Sequence, residues 1–206
     1  MKDAAHVRHP SKTKLLDASL MVIRSKGYSA TTVDDICSAA GVTKGSFFHH
    51  FSSKEQLALA AADHFAGMAK ELFATAPYAR SSDPFDRLLG YVDFRNGLLC
   101  DDLAFCTCLF GTMVQETYDT HPNIRSACHG HLNDHIELLT KDIVAAKRDR
   151  APDASWSPES LAAFTQAVLQ GAFVLAKAEN SPGVAAESLV HLRRYIEMLF
   201  GERAPA

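Results

Sequence analysis

Gly41 separates two short segments of helical periodicity, and that break constrains the chain more than any other single feature. Before it, Thr32 stands where a helix N-cap would, with Asp35 three residues on, and Val33, Ile36 and Ala40 supply one apolar side. After it, a segment beginning at Thr43 carries Phe47 and Phe51 four apart, on what a helix would make its inner face. Two short helices joined by a tight, glycine-containing turn have the geometry that seats the second in a DNA major groove while the first braces it.

The surrounding sequence reads as helix throughout, and the expected class is all-α. A first helix is expected from an N-cap at Thr13, with Leu16, Leu20 and Ile23 on one face and Gly27 at its end. Ser52 or Ser53 opens a fourth, since Glu55 and Gln56 lie at the reciprocal capping distance from those two serines. It runs through Leu57, Ala61, Phe65 and Met68 to about Ala74, short of Pro77. Further helices are expected from Pro84 to Leu99, Cys106 to Tyr118, Pro122 to Arg150, Pro158 to Ala178, and from Pro182 onward, with a loop over 149–156. The organisation expected is a helix-turn-helix domain over 1–54 and a larger helical domain over 55–206.

Charge is unevenly spread. Residues 1–54 carry eight Lys and Arg against four Asp and Glu, the remainder thirteen against twenty. A basic head on an acidic body suits a small polyanion-binding domain joined to one that does not bind polyanions. The start of the chain lacks the apolar stretch of a secretory signal, and no run reads as long and apolar enough to cross a bilayer. Five cysteines without an export signal point to reduced thiols. Together these predict a cytoplasmic protein with no membrane partner.

The second short helix, Thr43-Lys44-Gly45-Ser46-Phe47-Phe48-His49-His50, has chemistry suited to reading a duplex. Lys44 supplies a phosphate or base contact, Gly45 lets backbone approach, Ser46 donates or accepts, and the N–H groups of the helix start favour phosphate. If Phe47 and Phe51 face inward, Phe48 and His49 face outward. Taken singly, such residues usually do no more than solvate a helix. Outward aromatic rings beside paired histidines, in the basic quarter of an acidic protein, favour the nucleic-acid reading.

From Lys14 to about Leu59 the chain resembles the DNA-binding domain of the TetR/AcrR family of bacterial regulators. The resemblance is carried by Gly27-Tyr28, Thr31-Thr32-Val33, Ile36-Cys37-Ser38-Ala39-Ala40-Gly41-Val42, the stretch from Thr43 to Phe51, and Ser53-Lys54-Glu55-Gln56-Leu57. It implies that Thr43, Lys44, Gly45, Ser46, Phe48 and His49 occupy base-reading or phosphate-contacting positions. His50 and Lys54 would contact the DNA backbone, and Thr32 would touch phosphate from the start of the second helix. Phe48 stands where the family usually has tyrosine, and a phenylalanine offers no hydrogen bond to phosphate. Apolar contact, for instance with a thymine methyl, is the role left to it.

For the rest of the chain the resemblance implies a helical body that binds a small molecule, shifts the fourth helix and changes the spacing of two heads in a homodimer on operator DNA. Half-sites lie about one helical turn apart, roughly 34 Å, so a modest tilt spoils both contacts. Pairing is expected through a small-residue stripe, Ala163, Ala167 and Gly171, beside a seam of Leu189, Leu192, Ile196 and Leu199. Both stripes packing only within the subunit is the competing reading.

The expected effector pocket is lined by Phe94, Phe105, Cys108, Met113, His131 and His135, and takes a small organic or electrophilic compound. Cys128, His131 and His135 share a helix face with Ile124 and Leu139. Two histidines four apart on a helix suit a metal, but no fourth ligand is identifiable by spacing, and satisfied core or pocket histidines are the commoner case. No metal or other cofactor is expected. Cys106-Thr107-Cys108, near Cys100, raises a thiol switch, against the plain reading of cysteine as a small buried hydrophobe, which fits Cys37. Cys108 before Leu109-Phe110-Gly111 resembles a pattern in one family branch, some of whose members sense electrophiles. Neither a nucleophile elbow, a phosphate-cradling glycine loop, a zinc-protease pair nor a dinucleotide fingerprint is present, so no enzyme is expected.

Overall fold

The computed structural model describes residues 10–201. Among them the chain forms ten α-helices and one 3-10 turn, with no strand. The helices are α1 (Pro10–Lys26), α2 (Val33–Ala40), α3 (Lys44–His50), α4 (Lys54–Thr75), α5 (Pro84–Gly97), α6 (Leu103–Cys106), α7 (Leu109–Thr117), α8 (Pro122–Arg150), α9 (Pro158–Glu179) and α10 (Gly183–Phe200); the turn is Pro77–Arg80. Contacts divide them into two compact units. The first runs through Gly67 and adds Leu109–His129; the second takes Met68–Cys108 and the chain from Gly130 on. The compact unit that holds α1 to α3 also includes the start of α4, all of α7 and the start of α8.

In the first unit, short helices hold because their ends are satisfied. The Thr32 hydroxyl accepts from the Asp35 N–H at 3.1 Å, and the Asp35 carboxylate accepts from the Thr32 N–H at 2.8 Å. Two N–H groups that a helix start leaves bare are thereby paired. Gly41 closes α2 in the left-handed region at φ +62°, its N–H bonded to the carbonyls of Cys37 and Ser38. Thr43 caps α3 by accepting from the Ser46 N–H. The two serines before α4 share the next cap: Ser53 accepts from the Gln56 N–H, and Gln56 accepts from the Ser52 N–H.

The core of this unit is Leu15, Ile36, Cys37, Phe47, Phe51 and Leu57, with Phe47 fully buried. α1 begins at Pro10, ahead of the expected Thr13 cap. Proline suits that place because its missing N–H has no intrahelical partner to lose. Gly27 ends α1 at φ +87°, and a Cβ there would strike the Glu116 carboxylate, which accepts from the Ser29 N–H at 2.8 Å. Glycine is required at this position by backbone and by space alike.

The second unit is built from α5, α8, α9 and α10 around Leu88, Val92, Ile143, Leu169, Leu189, Leu192 and Ile196. Leu189, Leu192 and Ile196 are thus interior to their own subunit, which corrects the expected pairing seam, and half-buried Leu199 leans on the same core. α5 and α9 supply the partners that the spacing had seemed to reserve for a second subunit. Ala163, Ala167 and Gly171, by contrast, are exposed.

α9 also corrects the expectation about bilayers, since by length and composition alone it is long and apolar enough to cross one. Its inner side, including Leu161, Leu169 and Phe173, is part of the core, and its outer side carries Phe164, Val174 and Leu175. A helix apolar on both sides passes that test wherever it stands. The helix expected from Cys106 to Tyr118 begins only at Leu109, because Cys106 closes a separate short helix, α6, after which Thr107 adopts an extended conformation and turns its hydroxyl onto the Leu103 carbonyl at 2.6 Å.

Candidate functional site

α3 is held by one side and offers the other. Phe47 and Phe51 anchor it, with ring centroids 5.8 Å apart, while Lys44, Gly45, Phe48 and His49 face solvent. Phe48 is 58% exposed, stacked edge-on against Phe47 at 5.1 Å. Leaving a phenyl ring in water forgoes about 1.5–3 kcal/mol of burial.

Lys44 pairs with Asp34 at 2.8 Å, a contact that raises its pKa and keeps the ammonium charged. Because both groups are exposed, the pair is easily exchanged for phosphate. His49 lies edge-on to His50 at 4.8 Å, and half-buried His50 is oriented by a 2.7 Å bond between Nε2 and the Ser11 hydroxyl. Thr32 and Thr43 are exposed at the starts of α2 and α3, and Ser46 is half-buried one turn into α3. The Asp35 carboxyl is held well below the usual carboxylate range by hydrogen bonds from Lys26 and Thr32.

Lys54 departs from its expected role. Its ammonium donates to the carbonyls of Tyr28 at 3.0 Å, Thr31 at 2.9 Å and Ser29 at 3.4 Å, and lies 4.3 Å from the Tyr28 ring centroid. All three donors are used, and burial lowers the pKa. The residue ties the loop between α1 and α2 to the start of α4 rather than reaching outward to DNA.

The six residues expected to line an effector pocket are divided between the two units. Met113 is fully buried in the first unit, whereas Phe105, in the second, is 66% exposed. Phe94, Cys108, His131 and His135 are half-buried in the second unit. What α5, α8 and α9 do bring together is a polar chain inside that unit. The Gln166 amide donates to the Tyr91 hydroxyl at 2.8 Å, and that hydroxyl meets His135 Nε2, also at 2.8 Å. With its oxygen accepting from Gln166, Tyr91 donates to a neutral imidazole.

Burial, with the charge of Arg95 adding to it, lowers the His135 pKa to about 4, and burial raises that of Tyr91. Aromatic rings enclose the chain: Phe73 stands 4.9 Å from His135 and 6.1 Å from Phe94, and Tyr78 stands 5.7 Å from Phe94. Gly90 makes room for Tyr78, whose Cβ would lie 2.5 Å from any Cβ placed there.

Sequence reading missed Phe73, Tyr78, Tyr91, Arg95 and Gln166. Tyr91 and Gln166 are 75 residues apart and each sits among apolar neighbours, so no spacing links them. The alternative metal-binding set is Cys128, His131 and His135. Cys128 is buried, His135 is engaged by Tyr91, and no group of three potential ligands is placed to hold a metal among the described residues. None of the five cysteines forms a disulfide. Cys37 lies in the core of the first unit, and burial pushes the Cys100 thiol up.

Two family models match the chain: bacterial regulatory proteins of the tetR family over residues 15–61, and the C-terminal domain of LmrA/YxaF-like transcriptional regulators over residues 84–184. The transcriptional regulator AcuR of Cereibacter sphaeroides is 30% identical over 179 residues, spanning 82% of this chain and 77% of that protein. The HTH-type transcriptional repressor DhaR of Mycobacterium sp. strain GP1 is 26% identical over 84% of this chain and 86% of its own length. A crystal structure of a TetR regulatory protein from Rhodobacter sphaeroides superposes with a TM-score of 0.81 at 27% identity, covering 94% of this chain and all of that one. Helix-turn-helix, helical second unit and these likenesses agree: the chain belongs to the TetR family of bacterial transcriptional regulators.

Proposed function

We propose that the protein is a sequence-specific DNA-binding repressor that acts as a homodimer and leaves its operator when a small molecule occupies the second unit. The observation that carries the DNA reading is the outward face of α3, with Lys44, Phe48 and His49 presented by a helix whose opposite side is locked by Phe47 and Phe51. Likeness to a protein named as a repressor supports the sign of regulation. The test is binding of the purified protein to the DNA upstream of its own gene. Affinity is expected to exceed that for scrambled DNA and to fall steeply as salt rises. Equal affinity for both DNAs at every salt concentration refutes sequence-specific binding.

Pairing is assigned to the outer sides of α9 and α10. Ala163, Ala167 and Gly171 leave a shallow track on α9 beside exposed Phe164 and Leu175, and α10 adds exposed Val190, Tyr195 and Met198. Phe164 and Tyr195 already touch, with ring centroids 5.2 Å apart. Two copies of this face form a twofold bundle of four helices. Ala167→Glu places like charges close to the axis and is expected to yield monomers in sedimentation; an unchanged dimer argues against this face.

Release is assigned to the polar chain and its aromatic surround. α4 is one continuous helix whose start belongs to the first unit and whose last turns carry Phe73 into this cluster. A ligand that displaces Phe73 therefore acts on the helix that follows the reading head.

A further inference from the structure

We infer that the second unit takes a small organic anion, an apolar or aromatic body bearing one carboxylate, and that the carboxylate pairs with Arg95. The inference rests on the effector reading above and names the chemistry of the ligand.

Arg95 stands in the last turn of α5, and its guanidinium carbon lies 5.4 Å from the Phe73 ring centroid and 5.5 Å from that of Phe173. The other half-buried arginines of this unit are all neutralised: Arg87 by Asp142, Arg150 by Asp83, and Arg193 by Asp93 and Glu197. Arg95 has no carboxylate within ion-pair distance among the described residues; ring faces are its partners. A cation taken partly out of water and left without a counter-charge is costly, and an incoming anion relieves that cost.

The surroundings narrow the anion. Beside the guanidinium, Phe73, Phe94 and Phe173 offer an apolar wall, which excludes a strongly hydrated ligand such as a free phosphate or sugar. His135 contributes no second positive charge, since burial and Arg95 itself keep it neutral. One positive charge matches one carboxylate, and the planar guanidinium fork matches its two oxygens. Tyr78, half-buried and packed on Phe94, supplies a hydroxyl at the same cluster. Tyr78, Phe94, Arg95 and His135 are all partly exposed, whereas Phe73 and Phe173 are buried.

The test compares matched acids and amides on the full-length protein: benzoate against benzamide and octanoate against octanamide, read by thermal melting and by release of operator DNA. At least one acid is expected to raise the melting temperature and release DNA at concentrations about tenfold to a hundredfold below its amide, the span of a charge-assisted hydrogen-bonded pair. Arg95→Gln is expected to erase the advantage of acid over amide, and Arg95→Lys to keep a reduced one.

Acid and amide acting alike, no acid acting at millimolar concentration, or an acid preference that survives in Arg95→Gln overturns the proposal. Should Arg95→Gln fail to fold, the acid and amide comparison on the unaltered protein decides. An acid that stabilises the protein while leaving the operator bound supports the carboxylate site and refutes release. An uncharged compound that releases unaltered protein and Arg95→Gln equally overturns the carboxylate site and leaves release standing.

Discussion

The outer face of α3 and the interior of the second unit handle polar chemistry in opposite ways. On α3, Lys44 and His49 stand in solvent around an exposed phenyl ring, and tight packing is confined to the far side of the helix. In the second unit, Tyr91, His135 and Gln166 satisfy one another out of water, and Arg95 alone among the half-buried arginines there lacks an acid among the described residues. On α3 the polar partners are exposed and exchangeable, as in the Lys44–Asp34 pair, whereas in the second unit Gln166, Tyr91 and His135 hold one another in a buried chain.

The sharpest way to break this contrast is to cross the two sides of α3. Phe47→Ala is expected to destabilise the first unit by about 3–5 kcal/mol, the range for emptying a buried ring site, seen as a lower denaturation midpoint together with loss of operator binding. Phe48→Ala, one residue on, is expected to weaken operator binding while barely moving that midpoint. Equal losses of stability from both would mean that the outward face is structural.

The two lysines give the next contrast. Lys44→Ala is expected to weaken operator binding roughly tenfold to a hundredfold, with a salt slope lower by about one if the contact is to phosphate, at unchanged melting temperature. Lys54→Met is expected to do the reverse, costing about 1–3 kcal/mol of stability as three carbonyls lose their donor while the salt slope holds. A drop in slope for Lys54→Met would restore it to the DNA backbone.

Inside the second unit, Tyr91→Phe leaves the buried Gln166 amide without its acceptor and is expected to cost about 1–3 kcal/mol in chemical denaturation. The same chain carries a pH dependence through His135. Its pKa is about 4 in the folded chain against an ordinary 6.5, so the unfolded chain binds more protons between those values. The stability conferred by the neutral ring is complete above pH 6.5 and is lost as pH falls toward 4. His135→Asn is expected to flatten that limb of the stability profile, and an unaltered limb would show that the ring is not held neutral.

Much of the head was legible in the chain because its signals are local. The reciprocal cap of Thr32 and Asp35, the glycine after α2, and the two inward phenylalanines lie within a few residues of one another, where helix geometry sets what each can touch. The second unit yielded its helices to the same reasoning but not its site. Phe94 and His135 were named; their neighbours Tyr91 and Gln166 were not, because each looks from its own helix like one polar residue on an apolar side.

Sequence by itself determined the all-helical class, nearly every helix end, and which side of α3 faces out, since caps, glycines and short-range periodicity act between residues already close along the chain. Only the tertiary structure decided that Leu189, Leu192 and Ile196 are spent inside the subunit, that Lys54 grips a loop, and that Arg95 stands among rings without an acid. An apolar stripe or a charge carries no record of which distant helix will meet it, and packing alone makes that choice.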